Sequence, residues 1–131
     1  MSQGSSVLVE ARGAVRVLTL NRPESANVLD QQMGRDLLAA ASAVAADPGV
    51  RAVVLAGAGK HFCFGGDLRG MVAGGMPSDA YLRELTSDLH RAIATLVRLD
   101  APVIAAVNGT AAGAGVGLVA MSDLAVCGEG T

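Results

Sequence analysis

Val103-Ile-Ala-Ala-Val-Asn-Gly-Thr-Ala-Ala-Gly-Ala-Gly-Val-Gly-Leu-Val-Ala-Met-Ser-Asp123 runs from a strand into a helix through a turn of tiny residues. Val103 to Val107 is a short, β-rich apolar run introduced by Pro102, which reads as a buried strand. Asn108 and Gly109 turn the chain into Gly113-Ala114-Gly115. From Ala114 the sequence is apolar on every face until Ser122 and Asp123, which predicts a buried helix. Glycines near its start cost helix stability, because each loses more backbone entropy than alanine. What they offer is close approach of another group to the backbone. A helix start also presents unpaired N–H groups and the positive end of the dipole. Strand, tight turn and bare helix N-terminus together make a place to hold a negatively charged oxygen.

The elements on either side extend this pattern. Upstream, Ser78 opens an amphipathic helix whose apolar stripe is Leu82, Leu85, Leu89, Ile93 and Leu96. Asp100-Ala101-Pro102 ends it and hands the chain to the strand at Val103. Before it lie a strand at Ala52 to Ala56, a glycine-rich loop from Gly57 to Gly66, and a helical turn over Leu68 to Ala73. A flexible link, Gly74-Gly75-Met76-Pro77, follows that turn. Asp30 caps a helix reaching about Ala46, with Met33, Leu37, Ala41 and Val44 at helical spacing, and Asp47-Pro48-Gly49 stops it. Val7 to Glu10 and Val15 to Leu20 form a hairpin through Ala11-Arg12-Gly13-Ala14, and Met1 to Ser6 is expected to fray. Asn21 to Asn27 is a polar loop, and Leu124 to Cys127 is one more strand. Strands alternating with helices predict an α/β fold with parallel strands, in one domain over residues 1–131.

Composition narrows the function classes. The chain is 51% hydrophobic and 17% charged, which suits a sizeable core and argues against disorder. With one Tyr, two Phe and no Trp, that core must come from Ala, Val, Leu and Met. A net charge of −2 gives no basic footprint for nucleic acid. Cys63 and Cys127 make neither a disulfide scaffold nor a metal spacing, and both are expected to be small buried hydrophobes. No apolar run reaches the ~20 residues of a membrane span, and no signal peptide is visible. A cytoplasmic protein without a membrane or nucleic-acid partner is expected.

Two glycine-rich turns carry the chemistry: Lys60-His-Phe-Cys-Phe-Gly-Gly-Asp-Leu68 and Asn108-Gly-Thr-Ala-Ala-Gly-Ala-Gly-Val116. Each follows a buried strand, so both can open at the carboxyl end of one sheet, where α/β folds bind ligands. Each could aim one backbone N–H at a common point, as an oxyanion hole does. The phosphate motifs fit less well. A Walker loop fails at Val54 and His61. The dinucleotide pattern fails at Phe62, and its looser match at Gly115-Val-Gly117 starts too far after its strand. No Gly-x-Ser-x-Gly elbow is present.

Leu20-Asn-Arg-Pro23, Phe62-Cys-Phe-Gly-Gly-Asp-Leu68 and Ala106-Val-Asn-Gly-Thr-Ala-Ala-Gly-Ala-Gly115, followed by Ser122-Asp123, resemble the enoyl-CoA hydratase/isomerase (crotonase) family. The resemblance runs from about Val7 to Thr131. It implies a crotonase-like fold of repeated ββα units, here covering the N-terminal half and stopping before the C-terminal helical region. It implies acyl-CoA as the substrate, no separate cofactor, and a homotrimer or hexamer for a full-length protein. By position, it implies that Gly66 and Ala114 give the two oxyanion N–H groups. Gly66, Asp67, Leu68 and Arg69 would line the acyl-CoA, and the loop of Ala26, Asn27 and Val28 would lie near its nucleotide. The family's hydratases carry a glutamate where this chain has Gly117. The resemblance therefore favours isomerisation or another one-base reaction over two-glutamate hydration, with the acid–base group expected beyond Thr131. The alternative is a catalytically silent CoA-binding or assembly fragment, whose cut sheet would expose an apolar edge.

Other residues read more simply. Asp67 is expected to cap the following turn, and Arg69 either meets a phosphate or is solvated. His61 reads as a loop histidine, His90 as a helix-face residue, Cys63 as buried between Phe62 and Phe64, and Glu24 as solvated.

Overall fold

The computed structural model describes residues 4–73 and 78–131. The link expected at 74–77 and the first three residues lie outside them. Five strands form one sheet in the order β1 (Val7–Arg12), β2 (Val15–Leu20), β3 (Ala52–Gly57), β4 (Val103–Val107), β5 (Leu124–Cys127). β1 and β2 are an antiparallel hairpin, and β2 through β5 run parallel. Among the described residues, four α-helices lie between the strands from β2 onward: α1 (Gln31–Ala45), then α2 (Leu68–Ala73) and α3 (Ser78–Val97) together after β3, and α4 (Ala114–Met121).

Alternation in the strands faces one side of the sheet toward α1 and α3. Leu18 and Leu20 of β2, Val53 and Leu55 of β3, and Val103, Ala105 and Val107 of β4 are buried, while their neighbours are not. The register sets Leu18 beside Leu55, and Leu55 beside Ala105. Against this surface α1 places Met33, Leu37, Ala41 and Val44, and α3 places Leu89, Ala92 and Leu96. Asp30 caps α1 as its sequence predicts, with its Oδ1 accepting the Met33 N–H at 2.7 Å. The β4 and β5 starts are tied by Asp123, whose Oδ2 accepts the Val103 N–H at 2.8 Å.

The passage from buried strand to glycine-rich turn, expected twice from the sequence, has a structural counterpart. Three of the parallel strands lead through a short bridging segment into a helix: β2 through Leu29 into α1, β3 through Cys63 and Gly66 into α2, β4 through Ala111 into α4. Parallel bridges Leu29–Gly66 and Cys63–Ala111 stack these turns on one another. That is the repeated ββα arrangement, with the second strand of each unit shortened to a bridge.

Several local expectations are corrected. Ser5 and Ser6 do not fray, because Asp36 Oδ2 accepts the Ser6 N–H at 2.8 Å and the Ser6 carbonyl accepts from Asn21. β1 extends two residues further than expected, to Arg12, and β3 one further, to Gly57. On α3, Tyr81 is buried and Leu82 is exposed, so the stripe begins one residue earlier. α4 is not buried on every face: Gly115 and Leu118 are, but Val116 is exposed. Every residue of β5 is exposed, including Leu124 and Val126 at 64% each, so Cys127 is an exposed thiol and not a core residue. The outer edge of the sheet is thus apolar and uncovered among the described residues.

Candidate active site

Parallel neighbours β3 and β4 deliver the two glycine-rich turns to the same end of the sheet, and the turns are zipped together by their backbones. The Thr110 carbonyl accepts from Phe62 and Cys63 at 3.1 and 3.2 Å, and the Cys63 carbonyl accepts from Ala112 at 2.9 Å. Only small residues permit this approach. Gly65 has φ +88°, and a Cβ there would lie 3.0 Å from the Ala112 carbonyl oxygen and 3.1 Å from the Ala114 nitrogen. At Gly115 a Cβ would collide with the Cys63 carbonyl. The run of small residues is therefore explained by backbone packing of one turn on the other.

This packing brings Gly66, next to Gly65, into the neighbourhood of Ala114, the first residue of α4. Gly66 is bracketed by two hydrogen bonds: the Gly65 carbonyl accepts from Leu29 at 2.6 Å, and the Leu29 carbonyl accepts from Asp67 at 3.0 Å. The Gly66 N–H takes no part in that bridge. Among the described residues, neither it nor the Ala114 N–H meets an acceptor, and both residues are exposed. Two unpaired donors, one of them at a helix N-terminus, suit an oxygen that gains negative charge.

A cleft of about 650 Å³ adjoins Gly66. Ala26, Val28, Gly66, Asp67, Leu68 and Arg69 all line it. Ala114 does not. Asp67 caps α2 as expected, its Oδ1 accepting the Gly70 N–H at 3.2 Å. Arg22, His61 and Phe64 also line the cleft, which the sequence reading did not anticipate. The His61 and Phe64 rings lie 4.6 Å apart, and His61 Nδ1 is buried without a partner among the described residues. Arg22 stood in the quoted Leu20-Asn-Arg-Pro23 motif, which was the only signal for it.

Asn27 differs from its neighbours. Its side chain is fully buried and does not line the cleft. Its Nδ2 donates to the carbonyls of Ala58, His61 and Phe62 at 3.0, 2.9 and 3.1 Å, and its Oδ1 accepts the Arg22 N–H at 2.8 Å. Asn108 repeats the device from the next turn, donating to Gly59 and His61 carbonyls at 3.0 and 3.3 Å. The Asn27 amide is spent on backbone carbonyls, so it shapes the cleft from behind. Ala26 and Asn27 both have φ +54°, a left-handed pair that presents Ala26 and Val28 to the cleft.

Two groups near the site hold their protons more tightly than usual. Burial pushes the Cys63 thiol up, partly offset by the Gly65 N–H on its sulfur. Burial, then the charges of Asp67 and Asp30, push the Tyr81 hydroxyl up. Neither is poised as a nucleophile or base near neutral pH. Gly117, one turn into α4 from Ala114, is exposed, and a Cβ there would meet open space. α4 thus brings no acid–base side chain to the donors.

Residues 10–131 match the family described as enoyl-CoA hydratase/isomerase. A probable enoyl-CoA hydratase of Mycobacterium tuberculosis is 37% identical over 129 residues, covering 98% of this chain and 49% of that protein. A putative enoyl-CoA hydratase of Thermus thermophilus is 40% identical, covering 90% and 47%. The crystal structure of an enoyl-CoA hydratase from Mycobacterium smegmatis superposes with a TM-score of 0.87 at 45% identity, covering 93% of this chain and 47% of that one. The chain spans about half the length of the curated relatives it matches.

Proposed function

Because the chain belongs to the enoyl-CoA hydratase/isomerase family, we propose that it holds an acyl-CoA thioester with the carbonyl oxygen between the N–H groups of Gly66 and Ala114. A base removes a proton from the α-carbon, and the electron pair of that C–H bond moves onto the thioester oxygen. Each donor aimed at that oxygen lowers the barrier by about 3 kcal/mol. The cleft of Ala26, Val28, Asp67, Leu68 and Arg69 takes the CoA portion, and Arg69 offers its guanidinium to a phosphate. The observation that carries this reading is the pair of acceptor-less N–H groups on two backbone-zipped turns.

Gly117 supports one-base chemistry, such as double-bond isomerisation, over two-glutamate hydration, since it can neither donate a proton nor orient a water. No residue of α4 can serve as that base, which comes from another part of the protein. In this reading the thioester is the substrate, no separate cofactor is needed, and the protein works in the cytoplasm as a trimer or hexamer. The lack of an acid–base side chain on α4 also fits a second reading, a CoA-binding or assembly unit without catalysis of its own.

Acetoacetyl-CoA tests the donors directly, because its dicarbonyl thioester ionises to an enolate with its own near-ultraviolet band. Ala114 is the first helical residue, where proline removes an N–H that no helix bond uses. Ala114→Pro is expected to keep the fold and lose the bound enolate band, with affinity down about a hundredfold. A folded proline variant with an unchanged band would overturn the oxyanion assignment.

A further inference from the structure

We propose that Arg22 is a positioning residue for the Gly66 N–H; the proposal rests on Gly66 being an oxyanion donor. The Arg22 side chain is about three-quarters buried, and its Nη1 lies 2.8 Å from Asp30 Oδ2 and 4.0 Å from Asp67 Oδ2. Both carboxylates are helix caps that use their other oxygen on a backbone N–H: Asp30 on Met33 in α1, Asp67 on Gly70 in α2. One guanidinium thus ties the caps of two helices together. Arg22 is itself fixed, since Asn27 Oδ1 accepts its backbone N–H.

The physical need lies in Gly65-Gly66, a pair with no side chains and wide backbone freedom. The Gly65 N–H is held by Cys63 Sγ at 3.4 Å, but no hydrogen bond holds the Gly66 N–H itself. Its direction is imposed from outside, by the Leu29 bridge on both flanks and by Asp67 on the α2 side. Without Arg22, Asp30 and Asp67 would face one another partly buried, with the Tyr81 hydroxyl beside them. Their repulsion would push Asp67 and the start of α2 away from the bridge and turn the donor off its target. Gly70 leaves no slack on the other side, since even a Cβ there would lie 2.6 Å from Tyr81 Oη.

The test compares acetoacetyl-CoA, which has the thioester oxygen, with free CoA, which lacks it. Arg22→Gln is expected to weaken acetoacetyl-CoA binding about tenfold and to diminish the enolate band, the scale of one charge-assisted hydrogen bond. Free CoA should lose clearly less affinity than acetoacetyl-CoA, since it has no oxygen for the Gly66 N–H to hold. Arg22→Lys should recover part of the band, because a point charge still pairs both carboxylates. If Arg22→Gln melts too low to assay, adding Asp67→Asn removes the repulsion and keeps the cap, so the double variant should fold and regain the enolate band; a folded double variant without the band overturns the positioning role. An unchanged enolate band in a folded Arg22→Gln protein overturns the positioning role and leaves the oxyanion reading standing. Equal loss of both ligands overturns it too, by showing that Arg22 contacts the nucleotide. No enolate band in the unsubstituted protein removes the oxyanion reading itself.

Discussion

Replacing Asn27 tests how the cleft is held open. Its amide serves three carbonyls and its oxygen serves the Arg22 N–H, all from a fully buried position. Asn27→Ala removes both N–H donors and leaves the Arg22 N–H without its acceptor. Two lost bonds at about 1 kcal/mol each, plus about 1–2 kcal/mol for the orphaned, partly buried donor, give about 3–4 kcal/mol. The left-handed backbone at φ +54° adds about 1 kcal/mol, because alanine tolerates it less well than asparagine. A total of about 4–5 kcal/mol should lower Tm by about 10–20 °C in a chain of this size, measured by circular dichroism melting. Asn27→Asp separates the hydrogen bonds from the backbone term. It keeps the shape, the Oδ1 acceptor and the left-handed tolerance, but turns a carboxylate oxygen toward three carbonyls. Burial raises the folded-state pKa of that carboxyl above its unfolded value. The variant should therefore be closest to the parent below about pH 4 and lose ground as pH rises through the folded pKa. Melting of Asn27→Ala within about 1 kcal/mol of the parent, at any pH, would refute the claim that this amide organises the loops.

Two further outcomes follow from the geometry. Gly117→Glu enters open space on an exposed helix face, so it should stabilise by about 0.5–1 kcal/mol in a denaturant titration; destabilisation would mean that α4 is packed on that side. Cys127 is exposed and Cys63 is buried with a raised thiol pKa, so iodoacetamide at pH 8 should label only Cys127 in the native protein. The same raised pKa stabilises the fold fully below the unfolded thiol value of about 8.5, and that contribution should fade as pH climbs through the folded value. A Tm that rises over that alkaline range would contradict the burial of Cys63.

Much of this protein is legible in local chemistry. The order of strands and helices, the Asp30 and Asp67 caps, and the two glycine-rich turns follow from period, capping residues and small-residue runs within a few positions of one another. So does the motif resemblance, whose quoted stretches contain Gly66 and Ala114. What local spacing does not encode is where a side chain points once distant turns stack. Asn27 is 31 to 35 residues from the carbonyls it binds, and it looked like any polar loop residue. Arg22 is 45 residues from Asp67, so their pairing exists only because the Leu29–Gly66 bridge brings two turns together. Tyr81 takes the buried place expected of Leu82 because a hydroxyl can reach the polar cluster at the caps. α4 and β5 are apolar all round, yet apolarity does not create a covering partner, and Val116, Leu124 and Val126 stay exposed. Composition and period settle which segments are strands and helices; only the stacking of turns decides which polar groups are consumed by the fold and which are left free to bind.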